Sequence, residues 1–176
     1  MGKKLCLLAI FCLLLLQVGC GGESRPNDDK PWHLFTVEEA EEVLGFDAEE
    51  EIAKIDDKLD QRIVLYKSAS GDEEEFIQVS VTKDKTESSN SQDTESTGKQ
   101  NITTKEFFET VKSTFSDTLK PVEEFGDEAF WNAGALHILT GKYYVTISTG
   151  HEDSPENLER AKVVAEKVME RIKNLP

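Results

Sequence analysis

The sequence predicts an α+β fold, in which one antiparallel sheet carries amphipathic helices packed on one face. Three observations predict it. Segments with alternating apolar residues occur as neighbouring pairs, and the clearest pair is Ala135 to Thr140 with Tyr143 to Thr149. Segments with an apolar residue every three or four positions stand before, between and after these pairs. The short turns inside the pairs favour antiparallel strands, because parallel strands need long crossover connections.

The first element is a helix that opens on a capping box. Thr36 and Glu39 have the spacing at which each side chain accepts a hydrogen bond from the other's backbone N–H, and Gly45 suits a left-handed helix end. The following segment, residues 47–60, is crowded with acidic residues. Its apolar positions recur at helical spacing, so we expect a second helix there.

A strand pair and a polar segment follow. Residues 62–67 and 75–83 are predicted strands, and alternating apolar positions mark the second as half-buried. Residues 84–101 are almost wholly polar and hold nothing that could offset the entropy of ordering them. We therefore expect a mobile polar loop at 84–101, within a single domain that spans 32–176.

The next helix begins at a second capping box, Thr103 with Glu106, and we expect it to end at Pro121. Its apolar side carries three phenylalanines, and this spacing predicts core packing rather than a ligand site. Short strands are predicted over 122–125 and 128–131.

The clearest hairpin turns at Gly141-Lys142, where glycine supplies the positive φ of a two-residue connection. This turn fixes the register of the two strands, and the period of two then assigns each pair to a face of the sheet. The predicted pairs on one face are Leu136 with Ile147 and Ile138 with Val145, and those on the other are His137 with Thr146 and Leu139 with Tyr144. A last helix begins at Ser154-Pro155, a capping serine followed by a proline in the first turn.

The N-terminus combines a basic start, an apolar run and a cysteine. Two lysines precede the apolar residues 5–16, and Cys20 follows Val18-Gly19. A basic region, a short apolar run and a small residue describe a secretory signal. At about 1.5 Å per residue the run reaches only about 18 Å, which is too short for a bilayer core of about 30 Å.

This pattern resembles the lipobox of bacterial lipoproteins. In that family the cysteine is acylated, the signal is removed before it, and the lipid holds the chain on a membrane. The resemblance implies a signal peptide at 1–19, lipidation at Cys20 and a flexible tether at 20–31. One departure is Gln17, which stands where the family usually has leucine. Cleaved secretion without lipid and an uncleaved membrane anchor are the alternatives.

The resemblance also implies a location in the cell envelope, facing outside the cytoplasm. An aspartate after the lipidated cysteine commonly retains such proteins at the inner membrane of diderm bacteria, and Gly21 stands there instead. We therefore expect the outer membrane in a diderm cell and the cell membrane in a monoderm cell.

Composition narrows the range of partners. The formal net charge is −15, and it becomes −17 once the two lysines of the signal are removed. Such a chain is not expected to bind nucleic acid, whose phosphates attract lysine and arginine, or to adhere electrostatically to anionic lipids. Cys6 and Cys12 leave with the signal, so we expect no disulfide in the mature chain and no free thiol nucleophile.

The sequence carries no motif for catalysis or cofactor binding. His33, His137 and His151 each lack a cysteine or carboxylate at zinc-ligand spacing, and neither a Gly-x-Ser-x-Gly elbow nor a phosphate loop is present. We therefore predict no metal site, cofactor or catalytic residue. A ligand face of Trp131, His137 and Tyr144 is predicted on the side of the sheet opposite the main core.

The expected function is that of a membrane-anchored extracytoplasmic lipoprotein that binds, senses or assembles without catalysis, with an envelope protein as partner. Residues 125–129, Phe-Gly-Asp-Glu-Ala before a hairpin, are faintly similar to secreted bacterial lipoproteins and extracytoplasmic sensor domains. Two alternatives stay open. One is an envelope enzyme with its site on the sheet face around His137, and the other is a weak divalent-cation surface on acidic runs such as 49–51.

Overall fold

A computed structural model describes residues 34–56, 60–71, 75–84 and 102–175, without the side chains of 52–56. The predicted signal peptide, the lipidated tether and all of the predicted polar loop except Asp84 lie outside these residues. The strands are β1 (Ala48–Asp56), β2 (Gln61–Ser68), β3 (Phe76–Lys83), β4 (Lys120–Val122), β5 (Glu128–Asn132), β6 (Ala135–Thr140) and β7 (Tyr143–Ser148). The helices are α1 (Val37–Leu44), α2 (Thr104–Thr114) and α3 (Pro155–Ile172). None of these described helices is both long and apolar enough to cross a membrane.

The strands form one antiparallel sheet in the order β1-β2-β3-β7-β6-β5-β4. Strands that follow one another in the chain pair locally on both sides of the sheet, while β3 pairs with β7 in the middle. The β3–β7 pair therefore joins an N-terminal half of three strands to a C-terminal half of four. One antiparallel sheet with separate helices confirms the predicted α+β class.

The larger core lies between the sheet and the helices α1 and α3. The apolar stripe of α3 packs on β6 and β7, and α1 packs on β1 and β2. Burying a large apolar side chain here stabilises the fold by about 1.5–3 kcal/mol. The largest fully buried side chains of this core are Phe35, Tyr66, Ile77, Trp131, Leu136, Ile138 and Ile147.

An ion pair connects the two helices of the larger core. Arg171 of α3 donates two hydrogen bonds to the Glu39 carboxylate of α1, at 2.6 and 2.8 Å, and another to the Leu34 carbonyl. The Tyr66 hydroxyl of β2 donates to the Phe35 carbonyl. Burial raises the pKa of Glu39, but the hydrogen bonds from Arg171 and from the start of α1 outweigh it and hold the pKa below its ordinary value. The first described residues are thereby fixed to both a strand and a helix.

The opposite face of the sheet carries a smaller core beneath α2. Phe108 of α2 is fully buried and contacts Phe130, with ring centroids 5.2 Å apart. Leu139 and Tyr144 complete this cluster. The three described helices are thus divided between the two faces, and the single-face packing expected from the sequence holds for α1 and α3.

Residues 47–60 do not form the helix predicted from the spacing of their apolar residues. The structure places strand β1 there, paired with β2 along its whole length. The register shifts between Ile52 and Lys54, so that positions 52 and 55 pair with Val64 and Arg62, which are two residues apart. A bulge of this kind brings positions three apart to the same side of a strand, which imitates the spacing of a helix.

The predicted end of α2 at Pro121 is also wrong. The helix ends at Thr114, and Pro121 lies inside β4 instead. Strand β4 forms one edge of the sheet, where a proline can be accommodated because it has no N–H to contribute to a further pairing. The short strand predicted at 122–125 accordingly lies at Lys120–Val122, whereas the strand predicted at 128–131 is β5.

The predicted register of the β6–β7 hairpin is confirmed at all four pairs. A second turn supports this hairpin from the side. The backbone N–H of Asp127 donates to the Leu139 carbonyl, and the Asp127 carboxylate accepts a hydrogen bond from the N–H of Gly141. Gly126, with φ of +61°, brings Asp127 to this position.

We expect Gly126→Ala to destabilise the protein more than Gly141→Ala. Both glycines have positive φ, at +61° and +54°, so the conformational cost of a side chain is similar. A Cβ at position 126 would meet the Leu139 carbonyl oxygen and lie 2.8 Å from Ile138 Cγ2, whereas a Cβ at 141 meets open space. Urea denaturation should give a further loss of at least about 1 kcal/mol for Gly126→Ala. Equal losses would contradict the packing described for this turn.

Candidate functional site

The structure brings His137 and Tyr144 together, as the sequence predicts. Both lie on the sheet face that α2 covers, on the neighbouring strands β6 and β7. The His137 Nδ1 atom lies 2.7 Å from the Tyr144 hydroxyl, which is hydrogen-bond distance. The His137 ring is stacked on Phe130, with centroids 4.7 Å apart and planes inclined by 16°. The imidazole is therefore held in one orientation by a hydrogen bond and a ring contact.

Burial changes the protonation of both members of this pair. It lowers the pKa of His137 to about 4 and raises the pKa of the Tyr144 hydroxyl. At neutral pH the imidazole and the phenol are both uncharged, so the hydrogen bond joins two neutral groups. A histidine with this pKa is a poor general acid near pH 7, and the hydrogen bond of the pair joins β6 to β7 beside α2.

Trp131 does not belong to the predicted ligand face. In β5 it is Phe130 that pairs with His137, while Trp131 pairs with Leu136 and lies fully buried in the larger core. Its Nε1 atom donates to the carboxylate of Asp153. Because β5 alternates its side chains, two neighbouring aromatic residues must take opposite faces. The sequence could have excluded Trp131 only once the register between β5 and β6 was known.

Helix α2 covers one half of this sheet face. Its contacts are chiefly with β6 and β7, through Phe108 at the centre and Phe107 at the margin. The Phe107 ring meets Tyr144 edge-on, with centroids 5.5 Å apart, yet 43% of Phe107 remains exposed. The predicted open site around His137, Tyr144 and Trp131 is therefore not formed, because Tyr144 is buried beneath α2 and Trp131 faces the other way, while His137 remains partly exposed beside them.

The other half of the same face forms what we term the open sheet face, defined as Ile63, Leu65, Gln78, Thr146 and Ser148. These side chains point away from α1 and α3, since their neighbours along each strand are buried in the larger core. All five are partly exposed. Within the residues that the structure describes, no helix packs on this half. It presents two aliphatic side chains beside an amide and two hydroxyls.

A cleft of about 420 Å³ lies at one end of the open sheet face, and we term it the Phe76 cleft. Its inner wall is formed by Phe76 and His151, whose rings lie 4.7 Å apart at 59°. Leu65 and Gln78 belong both to this cleft and to the open sheet face, so the two are continuous. The complete lining is Leu65, Lys67, Ser68, Gly71, Glu75, Phe76, Gln78 and His151.

Acidic side chains dominate a second cleft, on the opposite side of the sheet. It has a volume of about 490 Å³ between α3 and the turn around Gly126. Lys162 pairs with Glu124 nearby, at 3.2 Å. Among the described residues, no group of three or more histidine, cysteine or carboxylate side chains is arranged to hold a metal ion. The lining comprises Glu124, Phe125, Gly126, Asp127, Thr140, Glu166, Met169, Glu170 and Lys173.

Comparison of the chain with protein-family models, with curated proteins and with solved structures found no match. The functional argument therefore depends on the geometry of the open sheet face and the Phe76 cleft, together with the sequence of the leader.

We expect the low pKa of His137 in the folded protein to make folding stability depend on pH. The folded protein keeps His137 neutral down to about pH 4, whereas in the unfolded chain it takes up a proton near its ordinary pKa of 6.5. The unfolded state therefore binds more protons between these values, so this contribution to stability is complete above pH 6.5 and is lost as the pH falls towards 4.

Urea denaturation at several pH values tests this dependence. Between pH 7 and pH 5 the wild-type protein should lose more stability than His137→Asn, in which the amide stands in for Nδ1 without titrating. Tyr144→Phe keeps the buried imidazole and should retain the wild-type slope although it loses the hydrogen bond. Parallel pH profiles for wild type and His137→Asn would show that His137 does not titrate differently on unfolding.

Proposed function

We propose that this protein is a lipid-anchored extracytoplasmic lipoprotein whose domain is a non-catalytic binding module. The open sheet face carries this proposal, because it combines partly exposed aliphatic side chains with groups that donate and accept hydrogen bonds. Protein interfaces commonly place apolar contacts at the centre with a polar rim. An envelope protein is the partner that best fits a face of this breadth and chemistry.

The contrast between the two faces of the sheet supports this choice. Beneath α1 and α3 the strands contribute a continuous apolar layer, which includes Ile77 and Ile147. The next residues on the same strands, Gln78 and Ser148, belong to the open sheet face and alternate with that layer. An antiparallel sheet can present one face to water and keep it free for contacts. Leu65 and Ile63 of β2 form an apolar side of this face, next to Gln78 of β3.

The leader supports a membrane tether. Cys20 lies fourteen positions before Leu34, the first described residue, and a chain of that length can extend to about 45 Å. A domain held at such a distance can reach partners in the same membrane. The net charge of −17 expected after removal of the signal disfavours direct adhesion to anionic lipids, so the lipid is the membrane contact that we propose.

Two alternative functions would use residues outside the open sheet face. An envelope enzyme would have to use His137, but its low pKa and its contacts with Phe130 and Tyr144 favour a structural role. A weak divalent-cation surface would draw on exposed carboxylates such as those of the second cleft. Calorimetry with calcium at millimolar concentration separates cation binding from the proposal, which requires no metal.

Lipidation at Cys20 is tested by mass spectrometry and membrane fractionation. We expect the mature protein to begin with an acylated cysteine and to sediment with membranes, because the lipid is the proposed anchor. Cys20→Ala should lose the acyl mass and leave the membrane fraction. Cys12→Ala removes a thiol from the leader only and should behave as wild type. Retention of Cys20→Ala in washed membranes would contradict the lipid anchor.

Partner binding through the open sheet face is tested by photocrosslinking in intact cells. A photoreactive residue at Thr146 should give a discrete crosslinked product, because this position lies within the face. Leu65→Glu should remove that product, since a charge on the apolar side of the face opposes its burial against a partner. The matched control is Val163→Glu on α3, where the native side chain is 45% exposed and outside the face. Loss of the product in both variants, or in neither, would contradict the proposed surface.

A further inference from the structure

The Phe76 cleft combines an aromatic wall with a carboxylate at its rim. The Phe76 and His151 rings stand at an angle of 59°, and both residues line the cleft. Glu75, directly before Phe76, lines the same cleft and is partly exposed. The carboxamide of Gln78 adds a further hydrogen-bond acceptor at the point where the cleft meets the open sheet face.

The charges around the cleft leave it acidic. Lys67 also lines it, but the Lys67 ammonium lies 2.6 Å from the Glu51 carboxylate, so their charges largely cancel. Among the described residues, Glu75 makes no ion pair that would neutralise it in the same way. The chain as a whole carries a net charge of −15. A cation is therefore the ligand that the cleft and the surrounding field attract.

We infer that the Phe76 cleft holds an arginine side chain of the partner protein. A guanidinium group is planar, so it stacks on an aromatic ring while its edge donates to a carboxylate. Phe76 offers the ring, Glu75 the carboxylate and Gln78 the additional acceptor. Lysine presents a compact ammonium that cannot stack in this manner. This inference rests on the proposed function, because it supplies the anchor for a partner seated on the open sheet face.

A polypeptide is the source of the arginine because the cleft opens onto the sheet. Leu65 and Gln78 line both surfaces, so a chain whose arginine enters the cleft can continue across the open sheet face. Interfaces concentrate their binding energy in a few such anchors, and arginine is one of the residue types enriched among them. A free small molecule with a guanidinium group would leave the open sheet face unused.

Peptide titration of the full-length protein in detergent, followed by NMR of labelled histidine and phenylalanine, tests the inference. A pentapeptide with capped ends and a central arginine between uncharged residues should bind and shift the Phe76 and His151 resonances. The same peptide with citrulline, which keeps the shape but removes the charge, should bind at least about tenfold more weakly, a difference of about 1.4 kcal/mol. N-acetyl-arginine amide should bind more weakly than the peptide. Equal affinity for arginine and citrulline peptides, or for the amide and the peptide, would overturn the inference.

Two variants locate the binding, and a third controls for net charge. Glu75→Gln and Phe76→Leu should each lower the affinity for the arginine peptide at least about fivefold. Glu124→Gln changes the net charge by the same amount in the other cleft and should leave the affinity unchanged. An equal effect of Glu75→Gln and Glu124→Gln would reduce the interaction to non-specific attraction and overturn the assignment.

The outcome is separable from the test of the proposed function. Suppose that the Thr146 crosslink persists in cells that carry Glu75→Gln and that the protein binds the arginine and citrulline peptides equally. The proposed binding face is then retained and the arginine anchor is rejected. If the arginine peptide binds as described but Leu65→Glu does not remove a Thr146 crosslink, the cleft assignment is retained and the proposed docking surface is rejected.

Discussion

The pairing of β3 with β7 is the interaction on which the rest of the structure depends. It is the single strand pair that joins the two halves of the described sheet, and it brings together strands separated by about sixty residues. Val79 opposite Ile147 and Val81 opposite Val145 place four aliphatic side chains in the larger core at this junction. Closing so long a loop costs chain entropy, which the burial of this shared core offsets. Neither half has a comparable core without the other.

The same junction explains how much of the fold the sequence could predict. The two capping boxes and the register around Gly141 depend on residues that are close together in the sequence, so they could be predicted, and the structure confirms both. The strand β1 was missed because a bulge gives its apolar positions the spacing of a helix, and only pairing with β2 distinguishes the two. The side on which α2 packs could not be predicted either. An apolar stripe predicts that one side of a helix is buried, but it does not indicate on which face of the sheet the helix packs.

In the candidate site, too, contacts within one hairpin could be predicted from the sequence, whereas contacts between distant strands could not. His137 and Tyr144 share one hairpin, so alternation along two adjacent strands was enough to place them together. The Phe76 cleft unites a residue at the start of β3 with His151, which follows β7, and their contact exists only because those strands pair. His151 therefore stood out in the sequence merely as an isolated histidine. Long-range pairing creates the surface that local patterns do not reveal.

The contacts of Arg171 and Tyr66 at the start of the described chain have a mechanical consequence. Any tension that enters the domain from its N-terminal side is applied at Leu34 and Phe35, whose carbonyls accept hydrogen bonds from these two residues. Through Arg171 the force is transmitted to α3, the longest of the described helices, and through Tyr66 it is transmitted to β2 in the sheet. The force is thus distributed between α3 and β2 before it reaches α1. A domain held at one end can move with its attachment without unravelling from that end.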